Sequence, residues 1–309
     1  MGAFDTAALR GQLEQIMGPQ AVRSGVPLSE LTTFKIGGPA ALVAEPATLE
    51  EAVAAVAACT AAGAPLRIIG CGSNILASDA GLDCVLLHFG PRLAAVKVQG
   101  TRVCALAGAT NEQVAQAAQR AGLAGYEFAS GIPGTIGGAA IMNAGAYDGE
   151  FKDVALQLSC CDARGSLITL SAEEARFGYR RSKMMDEGLV VLAATLQLRE
   201  GDPAAIQERM DELKARREEK QPLEMPSAGS TFKRPEGYFA GKLIQDAGLK
   251  GFRVGGAQVS PKHSGFVVNA GGASAADVRE LIRCVQERVF EMEGVHLEPE
   301  VRMWGFETE

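Results

Sequence analysis

At 309 residues, with 47% hydrophobic and 22% charged side chains, the chain is long enough for two or three domains, and its composition excludes a disordered or fibrous polymer. A net charge of -7, without clustered Lys and Arg interleaved with aromatics, argues against a nucleic-acid partner. Seven cysteines lacking a C-x-x-C pair, and histidines scattered at 88, 263 and 296, read as reduced, mostly buried thiols and not as a disulfide framework or a metal site.

The opening MGAFDTAALRGQLEQIMG predicts an amphipathic helix. Acidic residues lie among its apolar ones, where a secretion signal has a basic segment before an apolar core, so the expected compartment is the cytoplasm. From residue 40 to 90 the pattern runs strand, helix, strand. ALVAEP is a short apolar strand, Thr48 and Glu51 form a capping box for the helix LEEAVAAVAACTAAG, and LRIIG is a buried strand running into GCGSN, a βαβ-like unit. CVLLHF, LAAVKVQG and RVCALAG follow as β segments, and NEQVAQAAQRAG as a helix. VALQLSCCDARGSLITL reads as a hairpin turning at ARGS, Ser171 and Glu174 cap a short helical turn, and LVVLAATLQL is another strand. A charged helix from about Pro203 to Lys220 leads to a last domain. It contains the helix FAGKLIQDAG, the β segment GFVVN, the helix ADVRELIRCVQERVFEMEG and a closing strand HLEPEVRMWG.

GCGSN, Gly70 to Asn74, sets two glycines after a strand, where backbone N–H groups approach an anion closely. Ile75 stands where a dinucleotide fingerprint has its third glycine and no Walker lysine follows, so an ordinary turn explains this segment equally well. The uncharged run GIPGTIGGAAIMNAGAY, Gly131 to Tyr147, is broken far short of the roughly 20 apolar residues that a membrane span needs. Two bare-backbone segments can enclose one extended ligand, with Thr135 and Asn143 offering hydrogen bonds; tight helix packing is the alternative. FGYRRSKM puts adjacent arginines beside Tyr179, suited to a carboxylate or phosphate, although such pairs commonly face water. In SAGSTFKRP, Ser230 follows a glycine, but neither G-x-S-x-G nor a local histidine marks a hydrolase. In the closing strand, alternation puts Val295, Leu297, Pro299 and Val301 on one face and His296, Glu298, Glu300 and Arg302 on the other, without choosing between the two glutamates.

Taken in order, TTFKIGGPA, GCGSNIL, GIPGTIGGAAIMNAGAYDGE, YRRS, SAGSTFKRP, AGKLIQDAGLKG, GGAQVSPKHSGFVVN and LEPEV resemble the MurB family, the UDP-N-acetylenolpyruvoylglucosamine reductases of bacterial cell-wall synthesis, from about Leu31 to Val301. The resemblance implies an α+β fold. A PCMH-type FAD-binding module of two subdomains, 1–83 and 84–202, would precede a linker helix and a C-terminal α+β substrate-binding domain at 203–309. It also implies that NADPH reduces FAD and leaves, and that UDP-N-acetylglucosamine enolpyruvate takes its place and is reduced to UDP-N-acetylmuramate. On this likeness the FAD loops are Gly70, Cys71, Gly72, Ser73, Asn74 and Ile75 together with Gly131, Ile132, Pro133, Gly134, Thr135, Gly137 and Gly138.

By the same resemblance Arg180, from the Y-R-x-S motif, holds the enolpyruvyl carboxylate, and Glu300 assists as a neutral acid. Ser230 gives a proton to C2, with Lys242 and Arg234 as support. Asn143, Tyr179, Lys220, Arg234, Lys242, Gln258, His263 and Asn269 resemble positions lining the sugar-nucleotide site; Arg216, one helical turn from Lys220, is added on spacing alone. Cys71 stands where many relatives carry glycine and Ser264 where alanine is common. The short span from Tyr179 to Ser230 resembles the class without an inserted substrate-closing loop. A UDP-sugar is the expected partner, without metal, nucleic acid or membrane, and a monomer is compatible with this reading. Two other readings fit the fold: a flavin oxidoreductase acting on an alcohol, and a catalytically silent flavin or nucleotide sensor. Neither needs Arg180, Ser230 and Glu300 as a set.

Overall fold

The structure, a computed structural model, describes residues 4–306. The chain divides into two units: Met1–Ser24, Ala41–Cys71 and Cys84–Arg216 form the first, and Gly25–Ala40, Gly72–Asp83 and Arg217–Glu309 the second. Two early segments therefore belong with the C-terminal third of the sequence.

In the first unit the expected N-terminal helix spans Thr6–Met17, where the Asp5 carboxylate accepts the Ala8 N–H at 2.9 Å. Leu9, Leu13 and Met17 recur at helical spacing and are buried, and this face packs on the helix Leu49–Ala61. Thr48 caps that helix by accepting the Glu51 N–H at 3.1 Å. The Glu51 carboxylate, however, takes the Ala47 N–H at 2.7 Å and not that of Thr48, so the reciprocal half of the expected capping box is displaced by one residue.

A four-stranded sheet has the order Val22–Pro27, Pro39–Ala44, Leu82–His88, Leu66–Ile69, with the last two parallel. Leu82–His88 thus lies between the two strands that the helix Leu49–Ala61 connects, and the simple βαβ unit expected from sequence is split. Leu42, Val85 and Leu87 of this sheet close a core with Leu9, Leu13, Ala52 and Val56. The second sheet of the unit is antiparallel, in the order Leu167–Ser171, Ala155–Cys161, Val190–Gln197, Arg102–Leu106, Val96–Gln99. The hairpin turns where expected because the Asp162 carboxylate accepts the N–H groups of Arg164 and Ser166, both at 2.8 Å. Ser171 and Glu174 cap one another as foreseen, but only turns follow, and Arg176 at φ +43° is incompatible with helix propagation.

The second unit holds an antiparallel sheet in the order Ser227–Ser230, Phe266–Asn269, Ala257–Val259, Arg253–Val254. The helix Ala275–Glu293 starts at a complete Ser274/Asp277 capping box and ends at Gly294 in the left-handed region. Its apolar face, including Val278, Leu281, Ile282 and Val285, meets Leu243, Val259 and Val267 in one core. The closing strand is shorter than expected. Only Arg302–Trp304 pairs as a strand, parallel to Ile75–Ala77; Pro299, which has no N–H to give a ladder, makes an isolated bridge to Phe232. Among the described residues no helix is long and apolar enough to cross a membrane.

Candidate active site

In the first unit the two bare-backbone segments meet. The strand Leu66–Ile69 ends at Gly70, and a Cβ there would lie 2.4 Å from Thr135 Oγ1, so only glycine permits the approach. Thr135 is buried, caps the short helix Ile136–Met142, and bridges Thr110. The Ile136 and Gly137 N–H groups donate to the carbonyls of Ala109 and Ala107 at 2.8 and 2.9 Å, pinning the helix start to a neighbouring loop. Packing accounts for Gly137, whose added Cβ would sit 3.0 Å from that of Ala107. Packing does not account for Gly138, which is exposed and among the described residues would meet only Thr135 Oγ1, at 3.8 Å.

The segment before Thr135 is held from below. Asn111 Nδ2 donates to the Ile132 carbonyl at 3.2 Å, and Asn111 Oδ1 accepts from the Tyr126 hydroxyl at 2.8 Å. Both side chains are buried, and burial pushes the Tyr126 phenol well up, keeping it a donor. Tyr126→Phe leaves a buried acceptor without its donor, so chemical denaturation should show a loss of about 2 kcal/mol. FAD retention on gel filtration should fall with it.

Gly178 and Arg181 exchange backbone hydrogen bonds at 2.9 and 3.3 Å, which puts Tyr179 and Arg180 at the tip of a tight turn. Arg180 has φ +54°, a conformation uncommon for arginine and a mark of functional sites. Its guanidinium carbon lies 5.1 Å from the centre of the Tyr179 ring, and the arginine is half-buried. Arg181 instead faces water and pairs with Asp186 at 2.9 Å. Of the two adjacent arginines, only Arg181 shows the solvent-facing arrangement common to such pairs.

Asn143 closes the helix Ile136–Met142 at its C-terminal end. It is wholly buried; its Nδ2 donates to the Gly178 carbonyl and to Glu150, both at 3.0 Å, while its Oδ1 accepts the Lys152 N–H at 3.0 Å. Both amide hydrogens are used inside the protein, tying the end of the glycine-rich helix to the turn that carries Arg180. The Glu150 carboxyl is held below its ordinary value by Lys152, then by Asn143, with Arg180 adding to the effect.

In the second unit Ser230 and Glu300 lie on adjoining segments. The Glu300 N–H donates to the Thr231 carbonyl at 2.8 Å, and the Lys233 N–H to the Glu298 carbonyl at 2.8 Å. Gly229, at φ +74°, sits in an irregularity of the strand pairing and leaves Ser230 exposed. Alternation did not separate the glutamates, but burial does: Glu300 is half-buried, whereas Glu298 is 70% exposed and paired with Lys233. Asn74 Nδ2 donates to the Glu300 carbonyl at 3.2 Å, and the Arg302 N–H to the Asn74 carbonyl at 2.9 Å. The tail of GCGSN therefore also fixes the backbone of Glu300. Thr33, not singled out from sequence, donates its hydroxyl to the Ser227 carbonyl at 2.6 Å and its N–H to that of Gly72 at 3.3 Å. Its only sequence signal is membership in TTFKIGGPA.

The other expected substrate residues differ in their freedom. Lys242 is 66% exposed and pairs with Asp246 one turn on. Gln258 Nε2 donates to the Gly251 carbonyl at 3.1 Å. His263 Nδ1 accepts the Gly265 N–H at 3.1 Å, which leaves its proton on Nε2, and burial lowers its pKa. Asn269 spans Phe34 O with its Nδ2 at 3.3 Å and the Gly271 and Ala273 N–H groups with its Oδ1, both at 3.1 Å, acting as a loop tie. Lys220 is exposed at the end of the helix Pro203–Lys220, and Arg216 is already paired with Glu212 on that helix. Among the described residues the buried Ser264 hydroxyl has no hydrogen-bond partner.

Residues 221–304 match the C-terminal domain of UDP-N-acetylenolpyruvoylglucosamine reductase, and residues 40–171 an FAD-binding domain. The UDP-N-acetylenolpyruvoylglucosamine reductase of Clostridium perfringens is 50% identical over 279 residues, 90% of this chain and 91% of that protein. The chain belongs to the MurB family. The enzyme of the same name from Lactococcus lactis is 48% identical over 92% of this chain and 95% of its own. The crystal structure of the MurB of Thermus caldophilus superposes with a TM-score of 0.79 at 37% identity, covering 92% of this chain and 99% of that one. The fold is thus α+β, a PCMH-type FAD-binding module with a MurB C-terminal domain, and the chain is an FAD-containing oxidoreductase.

Proposed function

We propose that this chain reduces UDP-N-acetylglucosamine enolpyruvate to UDP-N-acetylmuramate with NADPH, in the cytoplasm, as a step of peptidoglycan precursor synthesis. The observation that carries the reading is the adjacency of Ser230 and Glu300 in one unit of a MurB-family chain, the Glu300 N–H bonded to the residue after Ser230. Residues 1–83 and 84–202 serve as the two FAD subdomains, and 203–309 as the substrate-binding part.

The glycine-rich segments fit FAD because their approach leaves neutral backbone, with an open face at Gly138, where a diphosphate and a flat ring system need room. Bound FAD supplies the chemistry of passing hydride from NADPH to C3 of the enolpyruvyl group. Arg180 grips the enolpyruvyl carboxylate through parallel hydrogen bonds and offsets the charge that grows there. Glu300 assists at the reacting end, and Ser230 gives its proton to C2. Tyr179, Lys220, Arg234, Lys242, Gln258 and His263 hold the sugar nucleotide; Asn143 and Asn269 position the loops that carry these groups.

The purified protein should be yellow. NADPH should bleach the flavin spectrum, and anaerobic recovery should need UDP-N-acetylglucosamine enolpyruvate. Bleaching of the oxidised flavin by an unrelated alcohol, without recovery on the sugar nucleotide, would instead transfer the assignment to an alcohol-oxidising enzyme, and a flavin that responds to neither compound would point to a silent sensor.

A further inference from the structure

Arg234, Tyr238 and Phe239 form one surface feature of the second unit. Arg234 Nε donates to the Tyr238 carbonyl at 3.1 Å, and its guanidinium carbon lies 3.9 Å from the centre of the Phe239 ring. Phe239 is nonetheless 62% exposed and Tyr238 47%. A single exposed aromatic calls for no explanation. An exposed ring lying against an oriented guanidinium makes a flat apolar surface beside fixed positive charge. With one face of Phe239 under Arg234, so large an exposure leaves its opposite face open to water. Such a surface suits a nucleoside diphosphate, whose base stacks and whose phosphates need cations.

Its distance from the reacting end fits the same ligand. Arg234 lies four residues beyond Ser230, and the backbone between them is extended: Thr231 N–H reaches the Gly265 carbonyl, Phe232 bridges Pro299, and Lys233 N–H reaches the Glu298 carbonyl. At the rise of an extended chain the two positions are up to about 13 Å apart. A pyranose ring and a diphosphate must fill a gap of that kind between an enolpyruvyl ether and a nucleobase. Lys242, in the first turn of the helix Ala240–Asp246 and paired with Asp246, lies three residues beyond Phe239.

We infer that Phe239 is the platform on which the uracil of the sugar nucleotide stacks, while Arg234 supplies charge to the diphosphate. This rests on the reductase reading. It also gives the chain a means of holding the nucleotide end without the inserted closing loop of the longer class. Stacking on an aromatic face is tolerant of base identity, so the adenine of NADPH is the competing occupant, and the test separates the two.

UDP would be titrated calorimetrically into FAD-loaded wild type, Phe239→Ala and Phe239→Trp, and KM measured for both substrates. Phe239→Ala should weaken UDP binding and raise the sugar-nucleotide KM by roughly tenfold or more, the loss of one base-stacking contact. Phe239→Trp should restore both values, and the KM for NADPH should move far less. Unchanged UDP affinity in Phe239→Ala would overturn the platform, as would a weakening that tryptophan does not restore. An equal rise in the KM for NADPH would overturn the assignment to uracil. If wild type binds UDP but never reduces the enolpyruvyl sugar nucleotide, the reductase reading fails by itself and the UDP titrations still decide the platform.

Discussion

Ser230→Ala should reduce its flavin with NADPH at close to the wild-type rate, yet slow reoxidation by the sugar nucleotide about a thousandfold, the middle of the range for a lost proton donor. That factor corresponds to about 4 kcal/mol of transition-state stabilisation. The split follows from the proposed role: hydride transfer from NADPH to the flavin needs no proton at C2, whereas the second half-reaction does. The fold should tolerate the change, because the Ser230 side chain is exposed and its backbone pairing with Phe266 is untouched. A serine is a poor acid in water, so its environment must stabilise the departing charge. Local rigidity helps, with Thr231 joined to Gly265 on one side and to Glu300 on the other, and with Gly229 holding the bulge. Anaerobic stopped-flow measurement of the two half-reactions checks this. Equal slowing of both would show that Ser230 shapes the site and does not supply the proton.

What sequence disclosed here was mostly local. The helices Leu49–Ala61, Asn111–Arg120 and Ala275–Glu293 were legible because apolar spacing and N-cap residues lie within a few positions of one another. Strand partners are not local. Nothing near Ile75 announces that it pairs with Arg302, or that 25–40 and 72–83 belong with the second unit. The ordered string of motifs was enough for the family, but not for the task of each side chain. Asn143 was read as a ligand contact from its hydrogen-bonding amide within an uncharged run and from the resemblance; its burial and three internal bonds depend on Glu150, Lys152 and Gly178 coming back to it. Tyr126 carried no signal at all, since its worth lies in a hydroxyl reaching Asn111 fifteen positions earlier. Alternation along 295–302 did place Leu297 and Val301 inside. It left Glu298 and Glu300 together; the resemblance singled out Glu300, and burial then separated the two.

Gly70→Ala and Gly138→Ala should have opposite effects on stability and a shared effect on cofactor. At Gly70 the new methyl would lie 2.4 Å from Thr135 Oγ1 and 2.8 Å from its Cγ2. Thr135 has little room to retreat, being buried, bridged to Thr110 and followed by Gly137 packed on Ala107. Overpacking of this kind costs roughly 1–3 kcal/mol, and relief by parting the two loops would spread the cradle. FAD affinity should then fall between about tenfold and a hundredfold, taking roughly 1.4 kcal/mol per decade. Thr135→Ala alone forfeits a helix cap worth about 1 kcal/mol, but it also makes room, so adding Gly70→Ala to it should cost much less than adding it to wild type. Gly138 has no such neighbour and sits in a helix, where alanine is favoured by about 1 kcal/mol. Gly138→Ala should therefore raise the apoprotein Tm while weakening FAD binding, because the methyl stands on the face left open for the cofactor. Thermal melts of apoprotein together with FAD titrations distinguish the two glycines. A Gly138→Ala protein that is more stable and binds FAD as well as wild type would mean that the flavin does not lie on this face.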